Sequence, residues 1–333
     1  MDPLPLAVGV FILTGVVVDL LWTTLWVEGG AGPLTALLMA TTWRLVRQFE
    51  GDNSRVHSLA GPIILTLSLA TWIVLLWGGW VFVFSSGESS IIDTLHRGPL
   101  TWPDLIYFSG YTIFTLGNGD FVPRGGVWQI LTGVATASGM LFVTLSVTYV
   151  LNVLSAVTQK RSFASGVSGL GASGTEILLT SWTGDEFEGL ELPLHTYTTQ
   201  LNTLTSNHKA YPILHYFHSD HPGQSPVVSV SILDETLSLL QFGLSERSHP
   251  SDTILRNARS SVENYLETLQ SEFVEPADRS PPPPDLDTLR ATGVPVVSDD
   301  AFSESLDELA QRRRTLLGLV ESDEREWPSQ NDE

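Results

Sequence analysis

The chain has 333 residues, 43% of them hydrophobic, and a formal net charge of −20. That length points to two domains. The absence of cysteine excludes disulfides, thiolate catalysis and Cys-ligated zinc or iron–sulfur sites. The acid excess excludes nucleic acid as a partner, because phosphate neutralisation needs a basic patch.

The charge is divided along the chain. Residues 1–161 hold 9 Asp/Glu against 7 Lys/Arg, and residues 162–333 hold 28 against 10. The first half is nearly neutral and the second strongly acidic. The only basic cluster is Arg312-Arg313-Arg314, with acids around it. Lys160 and Lys209 are the only lysines. A large acid surplus with so little lysine fits a halophile, where salt screens the self-repulsion. A high-GC genome with one acidic tail gives the same composition.

Residues 1–60 open with Leu4 to Trp26, long enough to cross a bilayer with Asp19 as its only charge. It lacks the basic leader and the small-residue cleavage site of a signal peptide, so it reads as a retained helix. Asp19, at membrane depth, is a functional candidate by default. It has two readings: a pair with Arg44 or Arg47, or snorkelling to the inner interface. Pro33 to Phe49 is shorter and carries both arginines. Its Leu34, Leu37, Leu38, Leu45 and Val46 predict an amphipathic helix lying on the membrane surface.

Gly61–Phe84 and Val127–Val157 are two further spans, both free of charge. Arg44, Arg47 and Arg55 after the first span, and Lys160 and Arg161 after the last, place those ends in the cytoplasm. Arg97 is alone in the loop from Ser85 to Thr101, which therefore faces outside. The N-terminus is then outside and the acidic tail inside. Trp22, Trp26, Trp77, Trp80 and Trp102 fall where an aromatic belt belongs.

Between these two spans, residues 103–124 read PDLIYFSGYTIFTLGNGDFVPR. Pro103 and Asp104 start a helix well, with proline in the first turn and an acid at the positive end of the dipole. Leu105 to Phe114 is apolar for about three turns, and Thr115-Leu116-Gly117-Asn118-Gly119-Asp120 follows.

This segment, D-x-x-Y-F-S-x-x-T-x-x-T-L-G-N-G-D-x-x-P, resembles the pore loop of the potassium channel superfamily, whose signature is T-x-G-Y-G-D after a pore helix. The resemblance covers about residues 61–157. It implies an outer helix at 61–84, a pore helix at 103–114, a filter at 115–120 and an inner helix at 127–157. It implies that Thr115, Leu116, Gly117, Asn118 and Gly119 bind the ion, with Asp120 at the outer mouth. Backbone carbonyls can replace an ion's hydration shell without placing full charge in the bilayer. Successive carbonyls face one axis only if some residues take φ > 0, which glycine does freely. The alternative for the loop is a re-entrant segment or a glycine turn joining two spans.

The sequence departs from the family at three places. Asn118 replaces the filter aromatic, Phe114 replaces a second threonine, and Tyr107 and Phe108 stand where tryptophan is common. Asn118 then needs a hydrogen bond to the pore helix, with Tyr111 the expected partner. Gly139, 20 residues after Gly119, is either a gating hinge, as the resemblance implies, or a small residue for close packing. Val143, Val147, Leu151 and Ser155 share one face and would line the pore, with Thr144 and Thr148 beside them. No span has the regular arginines of a voltage sensor.

Residues 161–174 include FASGVSGLGASG and read as a flexible linker. A cytoplasmic helical domain is predicted over 175–275. Leu255, Ala258, Val262, Leu266, Leu269 and Phe273 recur at helical spacing after Ser251 or Asp252. Val227 to Leu244 is another helix. Residues 276–333 are expected to hold a stiff break at Pro281–Pro284, one isolated amphipathic helix (Phe302, Leu306, Leu309, Leu316, Val320, after Asp299 and Asp300), and a polar tail, Glu321 to Glu333. Six histidines lie here: His195, His208, His215, His218, His221 and His249. His215 and His218, with Asp220 and His221, have helix-face spacing for zinc. Pro222 and Gly223 break that helix, however, and no fourth ligand is evident, so core or capping histidines are the preferred reading. No nucleotide-binding glycine loop follows a strand, and no catalytic order of Ser, His and Asp appears.

The chain is thus expected to be an all-α membrane protein: a two-helix pore-loop channel with an extra N-terminal transmembrane helix and a cytoplasmic α-helical domain. The resemblance implies a homotetramer that passes monovalent cations, potassium first, and needs no cofactor beyond the permeant K+. A weakly selective cation channel is the first alternative, because of Asn118. A non-conducting membrane-anchored sensor or adaptor is the second.

Overall fold

The computed structural model describes residues 1–48, 54–95, 98–219, 221–245, 251–270 and 275–328. It divides into two units. One joins Met1–Leu154 to Ala210–Tyr216; the other joins Ser155–Lys209 to Phe217–Glu333.

The first unit is built on three helices long and apolar enough to cross a membrane. Helix α1 (Pro3–Leu25) starts with proline in its first turn and with the Asp2 side chain accepting from Leu4 N. Helix α3 (Ser54–Ser85) packs along it. Their backbones meet closely at Gly9 and Gly79: a Cβ on Gly9 would lie 2.8 Å from the Gly79 oxygen. Small residues permit this approach where lipid gives no hydrophobic drive between helices. Helix α2 (Pro33–Gln48) turns Thr35, Met39 and Thr42 inward and leaves Leu34, Leu37 and Leu45 exposed. The apolar stripe expected to meet the membrane is therefore free to do so; Phe49 lies outside the described residues.

The short strands β1 (Ile91–Asp93) and β2 (Phe121–Pro123) pair antiparallel, with Ile92 opposite Val122. Between them lies α4 (Trp102–Ile113), and after them runs α5 (Val127–Ser168). A core of Val16, Leu20, Trp72, Leu76, Phe84, Phe108, Ile113, Ala135 and Phe142 binds α1, α3, α4 and α5 together. Trp80 is not part of an aromatic belt. It is buried, and its indole donates to Ser138 Oγ at 2.9 Å. Trp77 donates to the Ile106 carbonyl of α4 at 2.9 Å. The chain also returns to this unit at Ala210–Tyr216. There Ile213 and Leu214 are fully buried, Tyr211 meets Tyr149 edge-on at 5.9 Å, and Tyr216 meets Trp43 at 5.5 Å. The expected 175–275 domain is interrupted by this segment.

The flexible linker expected at 161–174 is largely helix. Helix α5 continues to Ser168, with Phe163, Ala164 and Val167 buried. Gly166 serves close packing: a Cβ there would lie 2.6 Å from the Tyr197 ring. Ser173 then caps α6 (Gly174–Ser181) by accepting from Glu176 N at 3.2 Å. The second unit continues with α7 (Glu191–Ala210), α8 (Pro226–Ser238), α9 (Asp252–Gln270), α10 (Leu286–Ala291), α11 (Asp299–Glu308) and α12 (Ala310–Ser322). Leu255, Ala258, Val262, Leu266 and Leu269 of α9 are buried as their spacing predicts; Phe273 lies outside the described residues. The C-terminal helix is neither single nor isolated. It breaks at Leu309, and Phe302, Leu306, Leu316 and Val320 enter the same core as α9. The tail is held at Arg325, which donates to the Ser219 carbonyl, and at Trp327, which packs against the core.

The basic triplet is absorbed internally. Arg312 pairs with Asp234, which also takes Arg259 at 2.7 Å. Buried Arg313 donates to the carbonyls of Pro281 and Pro282, at 3.1 and 2.6 Å, and so pins the proline-rich stretch. Arg314 donates to Gln311 Oε1 at 2.7 Å.

Candidate functional site: the pore loop

The pore loop begins at the start of α4. Asp104 accepts from Thr101 N at 2.8 Å and from the Thr101 hydroxyl at 2.7 Å, and Pro103 occupies the first turn. This closes the helix start without another element. Phe108, Ser109, Tyr111, Thr112 and Ile113 are buried. At the other end, Thr115 N donates to Thr112 O at 3.1 Å and Leu116 N to Tyr111 O at 2.8 Å. The chain thereby leaves the helix and enters the segment 115–120.

Three residues of that segment have left-handed backbone at every second position: Thr115 (φ 60), Gly117 (φ 58) and Gly119 (φ 83). For glycine this is nearly free. For Thr115 it costs about 1–2 kcal/mol, and a β-branched residue held there marks a constrained segment. Leu116 is 67% exposed in the single chain, and Phe114 is 39% exposed. Large apolar side chains are thus presented beside an exposed backbone.

Side-chain bonds from α4 reach the loop and the strand that follows it. Asn118 Nδ2 donates to the Tyr107 hydroxyl at 2.7 Å. The expected partner, Tyr111, instead donates to the Phe121 carbonyl. The two tyrosines sit one turn apart with rings 5.1 Å apart, and Tyr107 also meets the Phe121 ring at 6.2 Å. Tyr107 is therefore the side chain that holds Asn118, where the sequence pointed to Tyr111. The signal was the i, i+4 tyrosine pair, which places both rings on one face of α4.

On the outer flank, Thr94 follows β1. Its N–H donates to Asp120 O at 2.9 Å, and its hydroxyl lies 3.1 Å from Gly119 O and 2.9 Å from Asp120 O. Asp93 accepts from Leu95 N at 2.9 Å and closes that turn.

Gly139 of α5 packs directly against the end of α4. A Cβ there would lie 1.9 Å from the Ile113 carbonyl oxygen. Close packing is thus a sufficient reason for glycine at 139. Val143, Val147 and Leu151 are exposed along one face of α5, and Ser155 is exposed within the second unit.

Asp19 is fully buried and meets no arginine among the described residues. Its Oδ1 accepts from Leu34 N at 2.7 Å and Thr35 N at 3.3 Å. Its Oδ2 accepts from the Thr35 hydroxyl at 2.6 Å and Trp72 Nε1 at 2.7 Å. It caps the N-terminus of α2 from within α1. The side chains of Arg47 and Arg55 lie outside the described residues, as does Arg97.

The histidine string does not form one helix face. His215 lies in the last turn of a short 3-10 helix (Pro212–Tyr216) and packs on the Tyr216 ring, whereas His218 bonds Asp323 at 2.6 Å. Asp220 and His249 lie outside the described residues. Burial pushes His208 down to about 3, and the nearby Lys160 ammonium adds to the shift. His208 is a neutral core residue, with Nδ1 3.1 Å from Leu204 O.

A family described as ion channel matches residues 70–156, from within α3 through the pore loop to α5. The chain is 44% identical over 322 residues to the uncharacterized membrane protein YdjJ of Bacillus subtilis, across 97% of this chain and 94% of that one. No solved structure matches.

Proposed function

We propose that this chain, a membrane protein with an ion channel match over residues 70–156, passes monovalent cations through a pore formed by four copies, with potassium as the preferred ion. The observation that carries this is the alternation of left-handed backbone at Thr115, Gly117 and Gly119. In that conformation the carbonyls of neighbouring residues can turn to one side and replace water around a cation. Thr115 to Gly119 bind the ion, and Asp120 draws cations to the outer mouth. Four copies are required because one loop supplies one side of the shell. The exposed Leu116 and Phe114 are then covered by neighbouring copies. Val143, Val147, Leu151 and Ser155 line the inner passage. The first turns of the pore lie outside, with the N-terminus, and the second unit lies in the cytoplasm, following the arginine distribution.

Weak selectivity is a second reading favoured by one observation: Asn118 holds the loop by a single side-chain bond to Tyr107 where the resembled family packs an aromatic ring. The test is purified protein in liposomes loaded with potassium or sodium. Flux of potassium well above sodium supports the first reading. Equal fluxes support the second. No flux of either ion overturns both and leaves a membrane-anchored sensor.

A further inference from the structure

We propose that Thr94 is a positioning residue for the outermost ring of the ion pathway. This rests on the reading of residues 115–119 as the filter. Gly119 has no side chain, and among the described residues no atom lies within 4 Å of where its Cβ would stand. Packing therefore cannot hold its peptide at φ 83. Left free, a glycine in this conformation has more alternatives than any other residue. Its carbonyl shares the single proton of the Thr94 hydroxyl with the Asp120 carbonyl, the two oxygens lying 3.1 and 2.9 Å from that hydroxyl.

Thr94 is itself fixed. Its N–H bonds Asp120 O at 2.9 Å, and its hydroxyl also reaches that oxygen at 2.9 Å. The preceding strand β1 pairs with β2, with Asp93 opposite Phe121. Asp93 then closes the turn through Leu95 N. The outer end of the loop is thus tied to the segment before α4, while the Asn118–Tyr107 bond ties its middle to α4 itself. These are separate attachments on successive residues. The first sets where the Gly119 carbonyl points, and so the width of the ring it forms in the proposed pore. A ring that can relax accepts a smaller ion as readily as a larger one, so the Thr94 bond acts on discrimination and leaves conduction itself in place.

The test uses full-length protein in planar bilayers, with reversal potentials under bi-ionic potassium and sodium. Thr94→Val keeps the shape and removes the hydroxyl. It is expected to lower the potassium-to-sodium permeability ratio about fivefold, the effect of one ordinary hydrogen bond. Thr94→Ser keeps the hydroxyl and is expected to hold the wild-type ratio, which a role in strand shape alone would not give. Three results overturn the proposal: a Thr94→Val ratio equal to wild type, a Thr94→Ser ratio as low as that of Thr94→Val, or Thr94→Val protein that no longer forms the wild-type oligomer. Absence of current in the wild type overturns the filter reading first, and the proposal with it.

Discussion

Asp19 offers a test that needs no ion flux. Its carboxylate lies inside the bundle and receives two backbone N–H groups of α2, the Thr35 hydroxyl and the Trp72 indole. Asp19→Ala removes the acceptor for all of them. A lost helix cap costs about 0.5–2 kcal/mol, and each buried donor left unpaired costs about 1–3 kcal/mol. The cap together with the Thr35 hydroxyl and the Trp72 indole left unpaired comes to about 3–8 kcal/mol, and the lower part of that span, about 3–5 kcal/mol, is the range for removing one partner of a buried charged network. At roughly 2–4 °C per kcal/mol, the thermal midpoint in detergent should fall by roughly 6–12 °C even at the low end. Asp19→Asn keeps one oxygen for the α2 backbone but turns an N–H toward the Trp72 indole. It should cost about 1–2 kcal/mol. Trp72→Phe removes the indole donor alone, so its effect should largely vanish in the Asp19→Ala background. An Asp19→Ala protein that melts like wild type would refute the capping role. If that protein had also lost flux, Asp19 would belong to the ion path.

Three further outcomes follow from other parts of the structure. Tyr107→Phe removes the hydroxyl that receives Asn118 and should lower the potassium-to-sodium permeability ratio about fivefold, since the bond is worth about 1 kcal/mol net; an unchanged ratio would show that the bond does not hold the loop. Gly139→Ala places a methyl group 1.9 Å from a backbone oxygen of α4 and should abolish conduction, whereas Gly133→Ala meets nothing within 4 Å among the described residues and should conduct as wild type; equal behaviour of the two variants would discount the packing role. Burial pushes the Glu235 carboxyl up to about 7 from its ordinary 4.5, against the Gly174 N–H and Arg313, which favour the charged form. The folded chain then holds this proton more tightly than the unfolded chain. The associated stability is fully present below about pH 4.5, is lost as pH rises through 7, and amounts to about 3 kcal/mol. Glu235→Gln should flatten the change in thermal midpoint between pH 5 and 8, and a variant with the wild-type profile would assign that change to other groups.

The membrane spans and the pore loop were legible because their signals are local. A charge-free run of some twenty residues has few other uses, and Pro103-Asp104 and Gly117-x-Gly119 act on their own backbone. What was missed is non-local. Nothing near Asp19 in sequence announces Trp72, 53 positions away, or the N-terminus of α2. Glycine and serine at 163–174 read as flexibility, yet Gly166 is there so that the Tyr197 ring can approach. Composition alone does not separate these two uses of a small residue. Periodicity showed which faces of α9, α11 and α12 are apolar but not what covers them, so helices that share one core were read as separate. The return of Ala210–Tyr216 to the membrane unit had no signal, because a short apolar turn looks the same against any surface. On α4, periodicity put Tyr107 and Tyr111 on one face; choosing between them required the height of Asn118 along the helix.

The central claim is that the backbone of residues 115–119 is the ion path. Its most direct test is potassium flux into liposomes holding Gly117→Ala protein, compared with wild type at equal reconstituted amount and equal oligomer content. At φ 58 an alanine is strained by about 1–2 kcal/mol in each chain, and in the proposed four-copy pore that strain would recur at every copy. The expected result is intact oligomer with flux abolished. Wild-type flux through Gly117→Ala would contradict the claim and place the ion path elsewhere in the molecule.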